Sequence, residues 1–114
     1  MNELNEVVES YNEYLSNVGR GIAYISDCLR EDKVSEGLLA IQDFSEGILW
    51  LSNASELMKK NGVLAELGIN QLQEFLIEIN DGLEKQDYIL VADLFEYEIA
   101  PFFEQVSLAE KLEQ

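Results

Sequence analysis

Apolar residues recur along most of this chain at alternating spacings of four and three positions, and this pattern limits the fold more than any other feature. A seven-residue repeat with two apolar positions is the seam along which one helix packs nearly parallel to another. In the N-terminal part the seam consists of Leu4, Val8, Tyr11, Leu15, Val18, Ile22, Ile25 and Leu29. The sequence therefore predicts a first helix over about residues 2–30.

Similar stripes resume after short breaks and predict two further helices. Asp32 lies in the first break and is a candidate N-cap, so a second helix is expected over about residues 33–60. Asn61-Gly62 then provides a residue that tolerates the left-handed backbone typical of a helix end. The third stripe predicts a helix over about residues 63–84.

The last stripe belongs to the segment "DYILVADLFEYEIAPFFEQ" and predicts a fourth helix. Asp87 is its candidate N-cap, and apolar residues follow from Tyr88 to Ala109 at the same spacings. Pro101 lies inside this helix and removes one backbone donor, which predicts a kink. Four helices with short links indicate an all-α, antiparallel up-down-up-down four-helix bundle.

Length and charge limit the organisation of the chain and its partners. Its 114 residues fit a single helical-bundle domain over residues 1–114. Asp and Glu number 23 against 7 Lys and Arg, which gives a net charge of −16. Phosphates of nucleic acids and anionic membrane surfaces both attract cationic proteins, so we expect neither partner. We therefore expect the partner to be another protein or a second copy of the chain.

The chain contains few of the side chains that most often perform catalysis. The chain has no His and a single cysteine, Cys28, which excludes a Ser-His-Asp triad, a Cys-His pair and a Cys/His zinc site. We expect no enzyme activity and no cofactor. An unpaired thiol suits a reducing cytoplasm. The N-terminus lacks the features of a signal peptide, and no apolar run is long enough to span a membrane.

The acids of the fourth helix are candidates for a polar cluster. Asp93 and Glu96 are helical neighbours, but a metal site of real affinity needs about six oxygen ligands, so no metal site is predicted. Arg20 stands between two glycines on the first helix, at the level expected to face this acidic edge. We expect Arg20 to pair with Asp93 or Glu96, the alternative being a solvated arginine. Arg30 is assigned to the end of its own helix, where a cation offsets the macrodipole.

More apolar surface is present than one core-facing stripe per helix requires. "ILWL" covers nearly every side of the second helix, and the fourth helix carries a second stripe. The candidate apolar interface consists of Leu49, Trp50, Leu90, Leu94 and Phe103. Surplus apolar surface of this kind marks a partner or a dimer interface. The alternative is that a compact bundle buries all of it.

The segment "DYILVADLFEYEIAP" resembles the C-terminal helix of an uncharacterised family of small acidic helical proteins from Gram-positive bacteria, with the pattern Asp-Tyr-x-Leu-x-Ala-Asp-Leu-x-Glu-Tyr-Glu-x-x-Pro. The resemblance implies a bacterial cytosolic protein and no particular activity. Its distinctive positions here are Asp93, Leu94, Glu96, Tyr97, Glu98 and Pro101. Together with Arg20, the polar members Asp93, Glu96, Tyr97 and Glu98 form the predicted structural or interaction cluster.

These observations favour two classes of function, and a third class has much less support. The first is a non-enzymatic adaptor or chaperone-like module that binds a basic or amphipathic protein segment. By fold analogy it is similar to the small acidic helical chaperones of flagellar and secretion export. The second is a homodimeric structural bundle that buries its surplus apolar surface against itself. The distant third is a carboxylate metal-binding protein.

Overall fold

The computed structural model describes residues 2–111, which form an all-α protein with one minimal pair of strands. The elements are α1 (Asn2–Arg30), α2 (Val34–Lys60), β1 (Val63–Leu64), α3 (Ile69–Glu84), α4 (Tyr88–Leu94), a π-helical turn (Phe95–Ile99), α5 (Ala100–Glu104) and β2 (Glu110–Lys111). The body measures 51 × 21 × 20 Å. None of the helices within residues 2–111 is both long and apolar enough to cross a membrane.

The bounds of α1 agree with the prediction, and α2 begins one residue later than expected. Asp32 is not the N-cap of α2, so that prediction is wrong. Asp32 adopts a positive φ of 66°, and the Lys33 N–H donates to the Cys28 carbonyl at 2.8 Å. This is the Schellman arrangement that ends a helix. Asp32 therefore terminates α1, because a residue committed to the left-handed region cannot also start α2.

The third helix is shorter than the stripe suggested. It begins at Ile69, and the preceding Val63 and Leu64 form β1. β1 pairs in antiparallel register with β2, Val63 opposite Lys111 and Leu64 opposite Glu110. The prediction of helix over 63–68 and over 105–109 is therefore wrong. Val63 and Leu64 pair with Glu110 and Lys111 across the two strands instead of continuing a helix, and Ala109 bonds to the side chain of Asn12.

The C-terminal segment is also fastened to α1 by one side chain. The Asn12 carboxamide accepts a hydrogen bond from the Ala109 N–H at 2.7 Å and donates one to the Ala109 carbonyl at 3.3 Å. Asn12 thus satisfies both backbone groups of one residue, as a neighbouring strand would. The contact holds residues 105–111 against the end of the molecule where α2 finishes.

A π-helical turn interrupts the last helix just before Pro101. Pro101 lacks the N–H that would bond to the Tyr97 carbonyl, and the Ala100 N–H reaches back to Phe95 in the wider π pattern. The predicted N-cap at its start is confirmed, because the Asp87 carboxylate accepts from the Leu90 N–H at 3.1 Å. The extra residue of the π turn rotates everything after it by about 100°.

The core lies between α1, α2 and residues 88–104, with α3 packed on α4 and α2. Aromatic rings meet edge to face in this core and at its edge: Phe44 with Phe95 at 5.1 Å, and Phe75 with the partly buried Phe102 at 5.6 Å between centroids. Such pairs add about 0.5–1.5 kcal/mol each beyond the area they bury. Gly68 allows the second contact, since a Cβ there would lie 3.1 Å from the Phe102 ring.

The hydroxyl groups of Tyr11 and Ser55 are both buried in this core and differ in their hydrogen bonding. Ser55 donates to the Ala65 carbonyl at 2.9 Å and so ties α2 to the segment after β1. The Tyr11 hydroxyl has no hydrogen-bond partner among residues 2–111. Burial, with a smaller contribution from Glu66, raises the pKa of Tyr11 from 10.0 to about 12.

We predict that Asn12→Ala loosens the C-terminal segment. Two backbone groups of Ala109 lose their partner, so the free energy of unfolding should fall by about 1–2 kcal/mol and the Ala109 amide should exchange faster with solvent. Chemical denaturation and hydrogen exchange measure the two effects. Asn5→Ala, an exposed position on the same helix, is the control. Equal effects of the two substitutions would contradict the role of Asn12.

We predict that Tyr11→Phe leaves stability at pH 7 unchanged or raises it by up to about 1 kcal/mol, because a hydroxyl without a partner contributes only a desolvation cost. The alkaline behaviour should change as well. The folded chain holds the Tyr11 proton more tightly than the unfolded chain, so this residue lowers stability as the pH rises from about 10 to about 12. Denaturation series at pH 7 and pH 11 test this. A clear loss at pH 7 would refute it.

Candidate functional site

The acidic edge of the last helix does bind an arginine, and that arginine is Arg30. Its Nη2 atom donates to Asp93 Oδ1 and to Glu96 Oε1, both at 2.8 Å. The hydrogen bonds to Asp93 and then Glu96 raise the pKa of Arg30 above its ordinary value. The Arg30 side chain keeps 32% of its surface exposed, so the cluster joins the end of α1 to α4 at the protein surface.

The predicted pairing of Arg20 with this edge is wrong. Arg20 is exposed and donates to the side chain of Asn17, one turn earlier on α1. The seam of α1 explains the difference, because Val18 and Ile22 are both buried and the residue midway between them points to the opposite side. Arg30 lies ten positions further along α1, about 15 Å nearer the start of α4.

The remaining members of the predicted polar cluster do not join it. Tyr97 is 66% exposed and Glu98 is also exposed, both within the π-helical turn. The predicted cluster therefore separates into the Arg30–Asp93–Glu96 bridge and isolated surface residues. In the part of the chain that the structure describes, no three acidic or cysteine side chains come close enough to hold a metal ion.

The predicted apolar interface is partly exposed and partly core. Leu49, Leu90 and Trp50 are exposed, Trp50 by 40%. Leu94 and Phe103 are 7% and 8% exposed, so their assignment to an interface is wrong. Phe103 turns inward because the extra residue of the π turn moves the core-facing position from Phe102 to the next residue. Leu94 is covered because this helix packs against both α1 and α3.

A groove that the sequence had not indicated runs between α1 and α2, and it contains two depressions. The Tyr24 depression, about 360 Å³, is lined among others by Tyr14, Asn17, Gly21, Tyr24, Ala40 and Asp43. The Trp50 depression, about 700 Å³, is lined among others by Glu3, Glu6, Val7, Ser10, Trp50 and Leu57. We call the two together the α1–α2 groove. Neither Leu49 nor Leu90 is among the residues that line it.

Tyr14 divides the α1–α2 groove. Its ring crosses from α1 to α2 and its hydroxyl lies against Gly47, where an added Cβ would overlap it. Burial raises the pKa of the Tyr14 hydroxyl above its ordinary value, so this largely apolar wall stays uncharged further into the alkaline range. Gly47 is therefore required by a close approach and not by a turn.

The sequence does contain a signal for this groove, although a weak one. Val7, Tyr14 and Gly21 are spaced by sevens, and so are Ser10, Asn17 and Tyr24. These positions form a second stripe beside the main seam of α1. Mixed polar and small residues hide it from a search for apolar periodicity, which is why the core was predictable and the groove was not.

The fold and this surface define an acidic, all-helical domain with an apolar groove between its two longest helices. The chain belongs to the family described as a domain of unknown function (DUF8042), whose model matches residues 6–109. No curated protein and no solved structure shows a significant match to the chain.

We predict that Arg30→Gln lowers stability more than Arg20→Gln does at low ionic strength. Both substitutions remove one positive charge from an acidic chain, but only the first takes a donor from Asp93 and Glu96. The difference should shrink in molar salt, because exposed ion pairs are screened. Thermal denaturation of both variants at low and high salt measures it. Identical behaviour of the two variants would show that the bridge does not stabilise the fold.

Proposed function

We propose that this protein is a non-enzymatic interaction module that binds a basic amphipathic helix of a partner protein in the α1–α2 groove. The observation that carries the proposal is the combination of apolar floor and acidic rim in one groove. Val7, Trp50 and Leu57 contribute apolar surface, while Glu3 and Glu6 stand at the same depression. A helix with one apolar face and flanking Lys or Arg residues complements both.

The overall charge supports a basic partner. A net charge of −16 on 114 residues creates a negative potential around the whole molecule. Such a field attracts cationic segments and speeds their encounter, and it repels nucleic acids and anionic surfaces. Asp43 extends the negative rim to the Tyr24 depression, so a bound basic helix would meet a carboxylate at both ends of the groove.

The helix arrangement that we propose is an antiparallel four-helix bundle formed by α1, α2, α3 and the stretch 88–104. Two distant contacts support it: Arg30 at the end of α1 reaches Asp93 in the first half of the stretch 88–104, and Asn12 in the first half of α1 holds Ala109, which follows that stretch. In such a bundle the α1–α2 groove is an outer face that accepts a further helix without unfolding the core.

A cytoplasmic location in a bacterium and the absence of catalysis also belong to this proposal. They rest on the buried Cys28, on the lack of histidine and on the resemblance of the last helix.

The alternative of a homodimer is supported by exposed leucines, Leu49 and Leu90 among them. The same net charge opposes it, because two copies repel one another strongly at low salt.

The experiment is a fluorescence titration that uses Trp50, the only tryptophan of the chain, as reporter. A basic amphipathic helical peptide should shift the emission to shorter wavelength and bind at least ten times more tightly than an acidic peptide of the same apolar pattern. The substitutions Glu3→Lys and Glu6→Lys together should weaken binding about tenfold or more, since they reverse the rim charge.

The matched control is Glu74→Lys with Glu78→Lys on α3, which changes the net charge by the same amount at exposed positions that are not among the groove residues. Equal weakening by both pairs would mean that only the overall charge matters and would contradict a site in the groove. Sedimentation across concentrations is run in parallel. A stable dimer that shields Trp50 would favour the homodimer instead.

A further inference from the structure

The two depressions of the α1–α2 groove follow one another along the same pair of helices. Val7 and Leu57 line the Trp50 depression, and Gly21 and Asp43 line the Tyr24 depression. Along α1 the step from position 7 to position 21 is fourteen residues, and along α2 the step from 43 to 57 is also fourteen. At about 1.5 Å per residue, both helices give about 21 Å between the depressions.

Tyr14 lies at the end of the Tyr24 depression that faces the Trp50 depression. This residue is seven positions from Val7 and seven from Gly21, and its ring crosses to α2, where its hydroxyl lies against Gly47. A helix that lies along the groove therefore meets a cavity, then a ridge, then a second cavity. The spacing of these three features is the spacing of two heptads in the bound helix.

We propose that the partner helix carries two apolar anchors fourteen residues apart, with a small residue such as Ala or Gly seven positions from each. This inference rests on the proposed function and specifies the partner that the same groove takes. The anchors fill the Tyr24 and Trp50 depressions, and the small residue passes over Tyr14. Lys or Arg next to the anchor in the Trp50 depression meets Glu3 and Glu6.

Other spacings fit less well for a geometric reason. Anchors eleven or eighteen residues apart also lie on one face of a helix, but they are separated by about 16 Å or 27 Å. A peptide with either spacing can place one anchor and leaves the other on the ridge or beyond the cavity. Since burying one large apolar anchor is worth a factor of about ten or more in affinity, the difference is measurable.

The test uses four helical peptides of identical composition, with anchors spaced by seven, eleven, fourteen and eighteen residues, titrated against the full chain. The peptide whose anchors are fourteen residues apart should bind about tenfold more tightly than the other three. Replacing its central Ala by Leu should remove this advantage. Binding that does not depend on spacing would overturn the inference while leaving the proposed groove intact. No response of Trp50 to any basic peptide would overturn the proposed function itself.

A matched pair of glycine variants tests the Tyr24 depression separately. A Cβ at Gly21 or at Gly19 meets no atom of the described chain within 4 Å, so both positions accept a larger side chain. Gly21→Leu fills the Tyr24 depression, whereas Gly19→Leu lies on another side of α1. Gly21→Leu should lower the affinity for the peptide with anchors fourteen residues apart to that of a single-anchor peptide. Gly19→Leu should leave this affinity unchanged. Equal affinity of both variants would contradict the two-anchor arrangement.

Discussion

The burial of the α1 seam is the interaction on which the rest of the structure depends. Ile22, Ile25 and Leu29 are almost completely buried, and α1 packs against α2 on one side and against residues 88–104 on the other. Full burial of each such side chain is worth about 1.5–3 kcal/mol. Because α1 packs against two neighbours at once, part of its surface next to α2 is covered by neither of them. The α1–α2 groove lies along this surface. The groove is thus a consequence of how the core is assembled.

Periodic apolar burial is the part of the fold that the sequence could predict. The extents of α1 and α2 and the capping role of Asp87 follow from the stripe and from short-range hydrogen bonding. The pairing of β1 with β2 could not be predicted in this way, because two residues per strand produce no period and Leu64 and Ala109 happen to continue the helical spacing. The π turn likewise has no periodic signature, yet it decides that Phe103 is core.

The candidate sites show where such predictions fail. The acidic pair Asp93 and Glu96 was predicted to bind an arginine, and it does, but the partner was wrong because it depends on the register between two distant helices. The groove depends on one aromatic ring resting on Gly47, a contact between positions far apart in sequence. Contacts of that kind are set by tertiary packing, and the apolar periodicity of a single helix does not reveal them.

The binding site is tested most directly by a map of amide chemical shifts, recorded when the basic peptide with anchors fourteen residues apart is added to the isotopically labelled chain. We expect shifts at Ser10, Gly21 and Leu57, along both walls of the α1–α2 groove, with Gly19 and Glu78 nearly unchanged. Shifts centred instead on Leu49 and Leu90, or an absence of shifts at saturating peptide, would contradict the assignment of the α1–α2 groove as the binding site.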